Sequence, residues 1–98
     1  MTPEELRKLM KYLEERVQPS GGRAVNFAVP SRGELVEAGF GEQGVRQLLE
    51  APWFSEMVEE VEETPEFCDP EDSPETVLRY ARDVVVEYLR KRYELDEL

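Results

Sequence analysis

Apolar residues recur at intervals of three and four along most of this chain, the spacing that places them on one face of an α-helix. Near the N-terminus these positions are Leu6, Leu9, Met10, Leu13 and Val17. Near the C-terminus they are Val77, Leu78, Ala81, Val84, Val85, Tyr88 and Leu89. The two stripes predict long helices at about residues 3–17 and 74–93, and with them a mainly helical fold.

Three tripeptides of the form hydroxyl-Pro-Glu predict helix starts. They are Thr2-Pro3-Glu4, Thr64-Pro65-Glu66 and Ser73-Pro74-Glu75. In each, the hydroxyl can accept a hydrogen bond from a free backbone N–H, proline fits the first helical position, and glutamate suits the positive end of the helix dipole. Apolar spacing predicts three shorter helices between the long ones, at about residues 32–38, 42–50 and 53–63. An acidic loop at 64–72, with one helical turn after Thr64, is expected to follow them.

Residues 24–29 have a different pattern, with Val25, Phe27 and Val29 alternating on one side, which predicts a short strand. No other stretch is recognisable as its partner, and an unpaired strand leaves backbone groups without hydrogen bonds. Two arrangements stay open: an extended segment laid over a helical core, or pairing with another copy or another protein. The fold class is therefore all-α (mainly α), a single domain of residues 1–98. We expect a small bundle of four to five helices with one short extended segment at 24–29, and fraying of residues 94–98.

Charge is distributed unevenly along the chain. The net charge is −11, and residues 33–76 carry fourteen acids and a single base, Arg46. Such a segment repels nucleic-acid phosphates and anionic membrane surfaces and suits a basic partner. No apolar run approaches the roughly 18 residues of a membrane span. The N-terminus lacks the regions of a signal peptide, so a cytoplasmic protein is expected. Nineteen glutamates, with nine arginines against three lysines, are compatible with a thermophilic source.

The residue types exclude several kinds of chemistry. The chain has no histidine and one cysteine, Cys68, which rules out an intramolecular disulfide and argues against zinc binding and Cys–His catalysis. Neither a phosphate-binding loop nor a dinucleotide-binding fingerprint is present. The carboxylates of residues 64–72 do not have the spacing of an EF-hand loop. We therefore expect no catalytic residues, no cofactor and no metal site.

The adjacent aromatic residues Trp53 and Phe54 are the strongest indication of a binding surface. If one ring stays exposed, it would be a typical interface anchor. The alternative is that both rings complete the core at the bend after Pro52, and Tyr80, Tyr88 and Tyr93 have the same two possibilities. The acidic residues expected to surround the rings are Glu56, Glu59, Glu60 and Glu63. This pattern favours a non-catalytic regulatory protein that binds a basic protein, or another copy of itself, through protein–protein contacts.

Residues 32–50 outline two short helices around a glycine turn. The positions that carry the outline are Leu35, Gly39, Phe40, Val45 and Leu48. The spacing resembles a helix-turn-helix motif, which implies a dimeric DNA-binding protein. The residues that would contact DNA are Gln43, Arg46, Gln47, Arg32 and Arg23. The acidic charge of the segment opposes this function, because affinity for DNA comes mostly from neutralised phosphates. A third possibility is an acidic mimic of nucleic acid that inhibits a DNA- or RNA-binding protein.

Overall fold

The computed structural model describes residues 2–93 of the 98-residue chain. These residues form five helices and a two-stranded antiparallel sheet. The helices are α1 (Pro3–Glu15), α2 (Arg32–Glu37), α3 (Glu42–Glu50), α4 (Pro52–Phe67) and α5 (Pro74–Arg92), and the strands are β1 (Val17–Pro19) and β2 (Val25–Phe27). The prediction of a small, mainly α-helical bundle is confirmed. The predicted fraying of residues 94–98 concerns residues outside the described range.

Capping by side chains fixes where three of the helices begin. The hydroxyls of Thr2 and Ser73 each accept a hydrogen bond from the backbone N–H three residues later, at the starts of α1 and α5. Ser31 and Glu34 form a reciprocal capping box at the start of α2. Sequence patterns confined to four residues therefore predicted these three boundaries.

The extended segment has a partner within the chain, which corrects the expectation that no other stretch pairs with it. β1 and β2 run antiparallel, with Val17 opposite Phe27. Gly21 and Gly22 form the turn between the strands with positive φ angles of 96° and 56°, a region that glycine enters at no steric cost. The spacing of the apolar residues predicted that Val17 belongs to α1. Val17 is fully buried as a strand residue, so its burial alone could not distinguish helix from strand.

The other edge of β2 lies against α4. The backbone N–H of Phe27 donates a hydrogen bond to Oε2 of Glu62 at 3.2 Å. The Phe27 ring is buried and meets the Phe54 ring edge-on, with 6.5 Å between ring centroids. The hairpin is thus part of the core, and at Phe27 the outer edge of β2 is already hydrogen-bonded to α4.

α4 continues through Pro65, where the sequence predicted a loop with a new helical turn. Thr64 is buried, and its hydroxyl donates to the carbonyl oxygen of Glu60 at 2.9 Å, so it does not cap a new helix. Pro65 lacks the N–H that would bond to a carbonyl of the preceding turn, and α4 ends two residues later. The loop between α4 and α5 is therefore shorter than predicted, and Phe67 belongs to the last turn of a helix.

The core lies between α1, α4, α5 and the hairpin. α5 contributes a stripe of fully buried residues spaced four apart, Val77, Ala81, Val85 and Leu89. The remaining members of the predicted apolar face, Leu78, Val84 and Tyr88, are only half-buried. Among residues 2–93, no helix is both long enough and apolar enough to cross a membrane.

Candidate protein-binding groove

α4 and α5 lie antiparallel and leave a solvent-facing groove between them. Two contacts give their relative direction: Trp53 meets Tyr93, and Glu60 meets Tyr88. Phe67 and Tyr80 line the same depression farther along. The groove consists of two adjoining depressions of about 420 and 660 Å³. Glu60, Tyr80, Val84 and Tyr88 line both of them, so the depressions form one continuous surface.

The floor of the groove comes from a second stripe of α5, next to its core stripe. Tyr80, Val84 and Tyr88 follow one another at intervals of four residues and line the groove. Phe67, from the last turn of α4, closes one end. Because four residues exceed one helical turn only slightly, the three α5 side chains form a row along the helix. The floor is therefore a row of apolar and aromatic side chains.

Two of the floor residues are unusually exposed. The side chain of Phe67 is 79% exposed and that of Tyr80 is 42% exposed. Across the described chain, Val29 is the other exposed large hydrophobic residue, and it is not among the residues that line the groove. A single exposed apolar residue is normal, but two adjacent ones rimmed by charge are typical of interaction sites.

Carboxylates form both rims of this floor. The α4 rim consists of Glu56, Glu59, Glu60 and Glu63, and the α5 rim of Asp83 and Glu87. We call the whole surface, floor and rims together, the acidic groove. Within residues 2–93, the carboxylates of Glu56, Glu59 and Glu63 form no hydrogen bond or ion pair. The α4 side of the groove therefore presents unneutralised negative charge beside exposed aromatic rings, whereas Lys91 and Arg92 line the far end of α5.

Tyr88 and Glu60 form a fixed link across the middle of the acidic groove. The Tyr88 hydroxyl donates to Oε2 of Glu60 at 2.6 Å. This hydrogen bond, with burial of the ring and the negative charge of Glu60, raises the pKa of Tyr88 to about 12. The phenol thus stays protonated at neutral pH and holds α4 and α5 together at the groove's centre.

The aromatic pair predicted to anchor an interface, Trp53 and Phe54, does not line the groove. Phe54 is buried in the core with 5% exposure, so its ring does not lie at the surface of the described structure. Trp53 is half-buried, and its ring meets those of Phe54 and Tyr93 at 6.2 Å in each case. Packing between these rings leaves neither residue on the floor of the groove. The structure does bring together the four predicted glutamates, all on the α4 rim.

Phe67 is the groove residue that the sequence did not single out. A prediction that ended α4 at residue 63 placed Phe67 in a loop, where its direction was undefined. The sequence did hold a signal, because Phe67 follows Glu56, Glu60 and Glu63 at helical intervals of four, three and four. Continuing the helical phase through Pro65 would have placed Phe67 on the same face as those glutamates.

The three arginines proposed to contact DNA each have a partner within the described chain. Arg32 lies 3.8 Å from Glu42, and Arg46 lies 3.6 Å from Glu50. The third arginine, Arg23, donates to the carbonyl oxygen of Asp69 at 2.7 Å. Gln43 and Gln47 are exposed on α3. The two helices and the glycine turn of the motif are present, but each arginine is engaged by a different acidic residue.

The acidic residues of the described chain are not arranged as metal ligands. Nowhere in residues 2–93 do three or more His, Cys, Asp or Glu residues group closely enough to hold a metal ion. Comparisons of the chain with protein-family models, with curated proteins and with solved structures found no match. The geometry of the acidic groove is therefore the main basis for assigning a function.

Proposed function

We propose that this protein is a non-catalytic binding or regulatory protein, and that it binds a basic segment of another protein in the acidic groove. The observation that carries the proposal is the 79% exposure of Phe67 at the end of an aromatic floor. Large exposed rings surrounded by charge are where binding energy concentrates in protein interfaces. The unpaired glutamates on the α4 rim select for a partner with lysines or arginines.

The floor and the rims contribute to binding in different ways. Burying a phenylalanine ring that was exposed contributes roughly 1.5–3 kcal/mol, about ten- to a hundredfold in affinity. A solvent-exposed ion pair contributes roughly 0–1 kcal/mol. Charge complementarity mainly raises the association rate and excludes wrong partners. We therefore assign affinity to Phe67 and Tyr80, and partner choice to the carboxylates.

The alternatives from the sequence have less support. DNA binding requires basic groups that can reach phosphates, whereas Arg32 and Arg46 each pair with a glutamate and Arg23 bonds to the backbone carbonyl of Asp69. An acidic mimic of nucleic acid would also bind a basic protein, so it differs from the proposal only in what the partner normally binds. We also propose that the protein is cytoplasmic, as the sequence predicts.

The test is a fluorescence anisotropy titration with a labelled synthetic peptide. The peptide has lysines on one helical face and leucines on the other. We expect saturable binding that weakens as salt screens the charges. Phe67→Ser should weaken binding by roughly ten- to a hundredfold, because it removes the exposed ring. The matched control is Val29→Ser, which replaces an exposed apolar side chain outside the groove and should leave affinity unchanged.

Two results would overturn the proposal. One is the absence of binding by the folded wild-type protein, with folding checked by circular dichroism. The other is equal loss of affinity in Phe67→Ser and Val29→Ser, which would mean that the peptide adheres to exposed apolar residues generally. Salt-dependent binding of random duplex DNA in the same assay would favour the DNA-binding alternative instead.

A further inference from the structure

The two ends of the acidic groove differ in charge. At the end closed by Phe67, the groove is lined by Glu56, Glu59 and Glu63, and the Arg79 guanidinium lies over the Tyr80 ring. At the opposite end, the groove is lined by Lys91 and Arg92 of the last turn of α5. A ligand in the groove therefore meets negative charge at one end and positive charge at the other.

The shape of the groove suits a helix. From Glu56 to Phe67 the α4 side of the groove rises by eleven residue steps, roughly 16 Å at 1.5 Å per residue, which matches three turns of a helix. The floor offers one side chain per turn, at Tyr80, Val84 and Tyr88. Both walls are helices with internally bonded backbones, so the groove has no free strand edge with which an extended peptide could pair.

A helix placed in this groove has a preferred direction. Its N-terminus carries partial positive charge and its C-terminus partial negative charge. The favourable arrangement places the N-terminus beside Glu59 and Glu63 at the Phe67 end and the C-terminus beside Lys91 and Arg92. Basic side chains along the ligand helix would then face the rim glutamates in between. Since α5 begins after the loop that follows Phe67 and ends at Arg92, the ligand would run parallel to α5.

We infer that the acidic groove binds a basic amphipathic helix of another protein, oriented parallel to α5 with its N-terminus at the Phe67 end. This inference rests on the proposed function and adds the conformation and direction of the bound segment. Leucine-sized side chains at one-per-turn spacing would contact Tyr80, Val84 and Tyr88.

Paramagnetic NMR on the unmodified protein tests the direction. The basic amphipathic peptide carries a nitroxide at its N-terminus in one sample and at its C-terminus in another. We expect the N-terminal label to broaden backbone amide signals of residues 66–69, and the C-terminal label to broaden those of residues 88–92. The reverse pattern, or equal broadening at both ends, would overturn the inference and leave the proposed function standing. If the peptide does not bind, the proposed function itself fails.

A variant that lacks two positive charges tests whether Lys91 and Arg92 set the direction of the bound helix. Lys91→Gln combined with Arg92→Gln should reduce the difference between the broadening patterns that the two labels produce. The matched control, Lys8→Gln with Lys11→Gln, removes the same charge from exposed positions of α1 and should leave the difference unchanged. An equal reduction in both variants would overturn the assignment to Lys91 and Arg92.

A proline variant of the peptide tests the helical conformation. One proline at the centre of the peptide, with its charge kept, should weaken binding by about a hundredfold, because proline in a helix interior removes a hydrogen bond and clashes with the preceding turn. Unchanged affinity would mean that the ligand binds in an extended form, which contradicts the inference.

Discussion

At the scale of single residues, Arg82 connects α5 to the point where α1 ends and β1 begins. Its Nε donates to the carbonyl oxygen of Glu14 and its Nη2 to that of Val17, both at 3.0 Å. The last carbonyls of a helix have no partner within the helix. Arg82 therefore donates to one acceptor in α1 and one in β1. The apolar pattern did not reveal that the chain changes from helix to strand between them.

Replacement of Arg82 should destabilise the fold without touching the groove. Arg82→Met should lower the free energy of unfolding by about 2 kcal/mol, because two carbonyls lose a charged donor. Arg79→Met is the matched control, since Arg79 is exposed and contacts only the Tyr80 ring, with 5.6 Å from its guanidinium carbon to the ring centroid. It should change stability by about 0.5 kcal/mol or less. Urea denaturation measures both, and equal losses would contradict the role of Arg82.

The link between Tyr88 and Glu60 predicts a pH dependence. Folding raises the pKa of Tyr88 from 10.0 to about 12, so the folded state holds the phenolic proton more tightly than the unfolded state. The resulting stabilisation is complete below pH 10 and is lost as the pH rises from 10 to about 12. The difference in unfolding free energy between wild type and Tyr88→Phe should therefore be constant from pH 7 to 9 and shrink above pH 10. A Tyr88 ring that titrates near pH 10 by ¹³C NMR would contradict the link.

At the scale of elements, a glycine within α2 and a glycine in the turn after it should respond oppositely to the same substitution. Gly33 lies within α2, and an added Cβ would meet only the Ser31 hydroxyl oxygen at 3.9 Å. Gly33→Ala should stabilise the protein by about 0.5–1 kcal/mol. Gly39, in the turn after α2, has a φ of 100°. Gly39→Ala should destabilise it by about 1–2 kcal/mol through backbone strain. Effects of the same sign in thermal unfolding would contradict the turn geometry.

The sequence predicted the elements whose signals are local. α1 and α5 each have a proline start, a capping hydroxyl and a long apolar stripe, and these signals agree. β1 is three residues long, and its assignment depends on pairing with β2 across a turn rather than on its own pattern. The end of α4 was missed because Thr64-Pro65-Glu66 matches a helix start, whereas burial of Thr64 against the core decides that the helix continues.

The same difference between local patterns and long-range contacts explains which residues of the site could be predicted. The rim glutamates were identified because they form the charged face of an amphipathic helix, which is a local property. Which ring of the Trp53–Phe54 pair is buried depends on the hairpin, since the Phe27 ring packs against Phe54. The exposure of Phe67 depends on the exact length of α4. Both are consequences of contacts between distant parts of the chain, which periodicity cannot predict.

At the scale of the whole molecule, basic and acidic surfaces coexist on one chain. α1 exposes Arg7, Lys8 and Lys11, and these could attract the acidic groove of a second copy. However, Leu6, Leu9, Met10 and Leu13 of α1 are buried in its own core and Tyr12 is half-buried, so α1 offers charge but little apolar surface to cover Phe67 and Tyr80. The groove therefore suits a different protein better than a second copy.

We therefore expect the protein to be monomeric. Sedimentation equilibrium should give a mass near 11.4 kDa, unchanged between low and moderate salt. A dimer that dissociates as salt is added would mean that α1 of one molecule reaches the groove of another. Lys8→Gln combined with Lys11→Gln would identify that contact by removing the dimer.

Chemical-shift mapping tests the central claim, that the acidic groove is the binding surface, most directly. The unlabelled basic amphipathic peptide is titrated into ¹⁵N-labelled protein. The account predicts that the largest shifts occur in residues 56–67 of α4 and 80–92 of α5, with α1 and the hairpin little changed. Saturable binding with its largest shifts on α1, the hairpin or α3 would contradict the account, because the partner would then bind outside the groove.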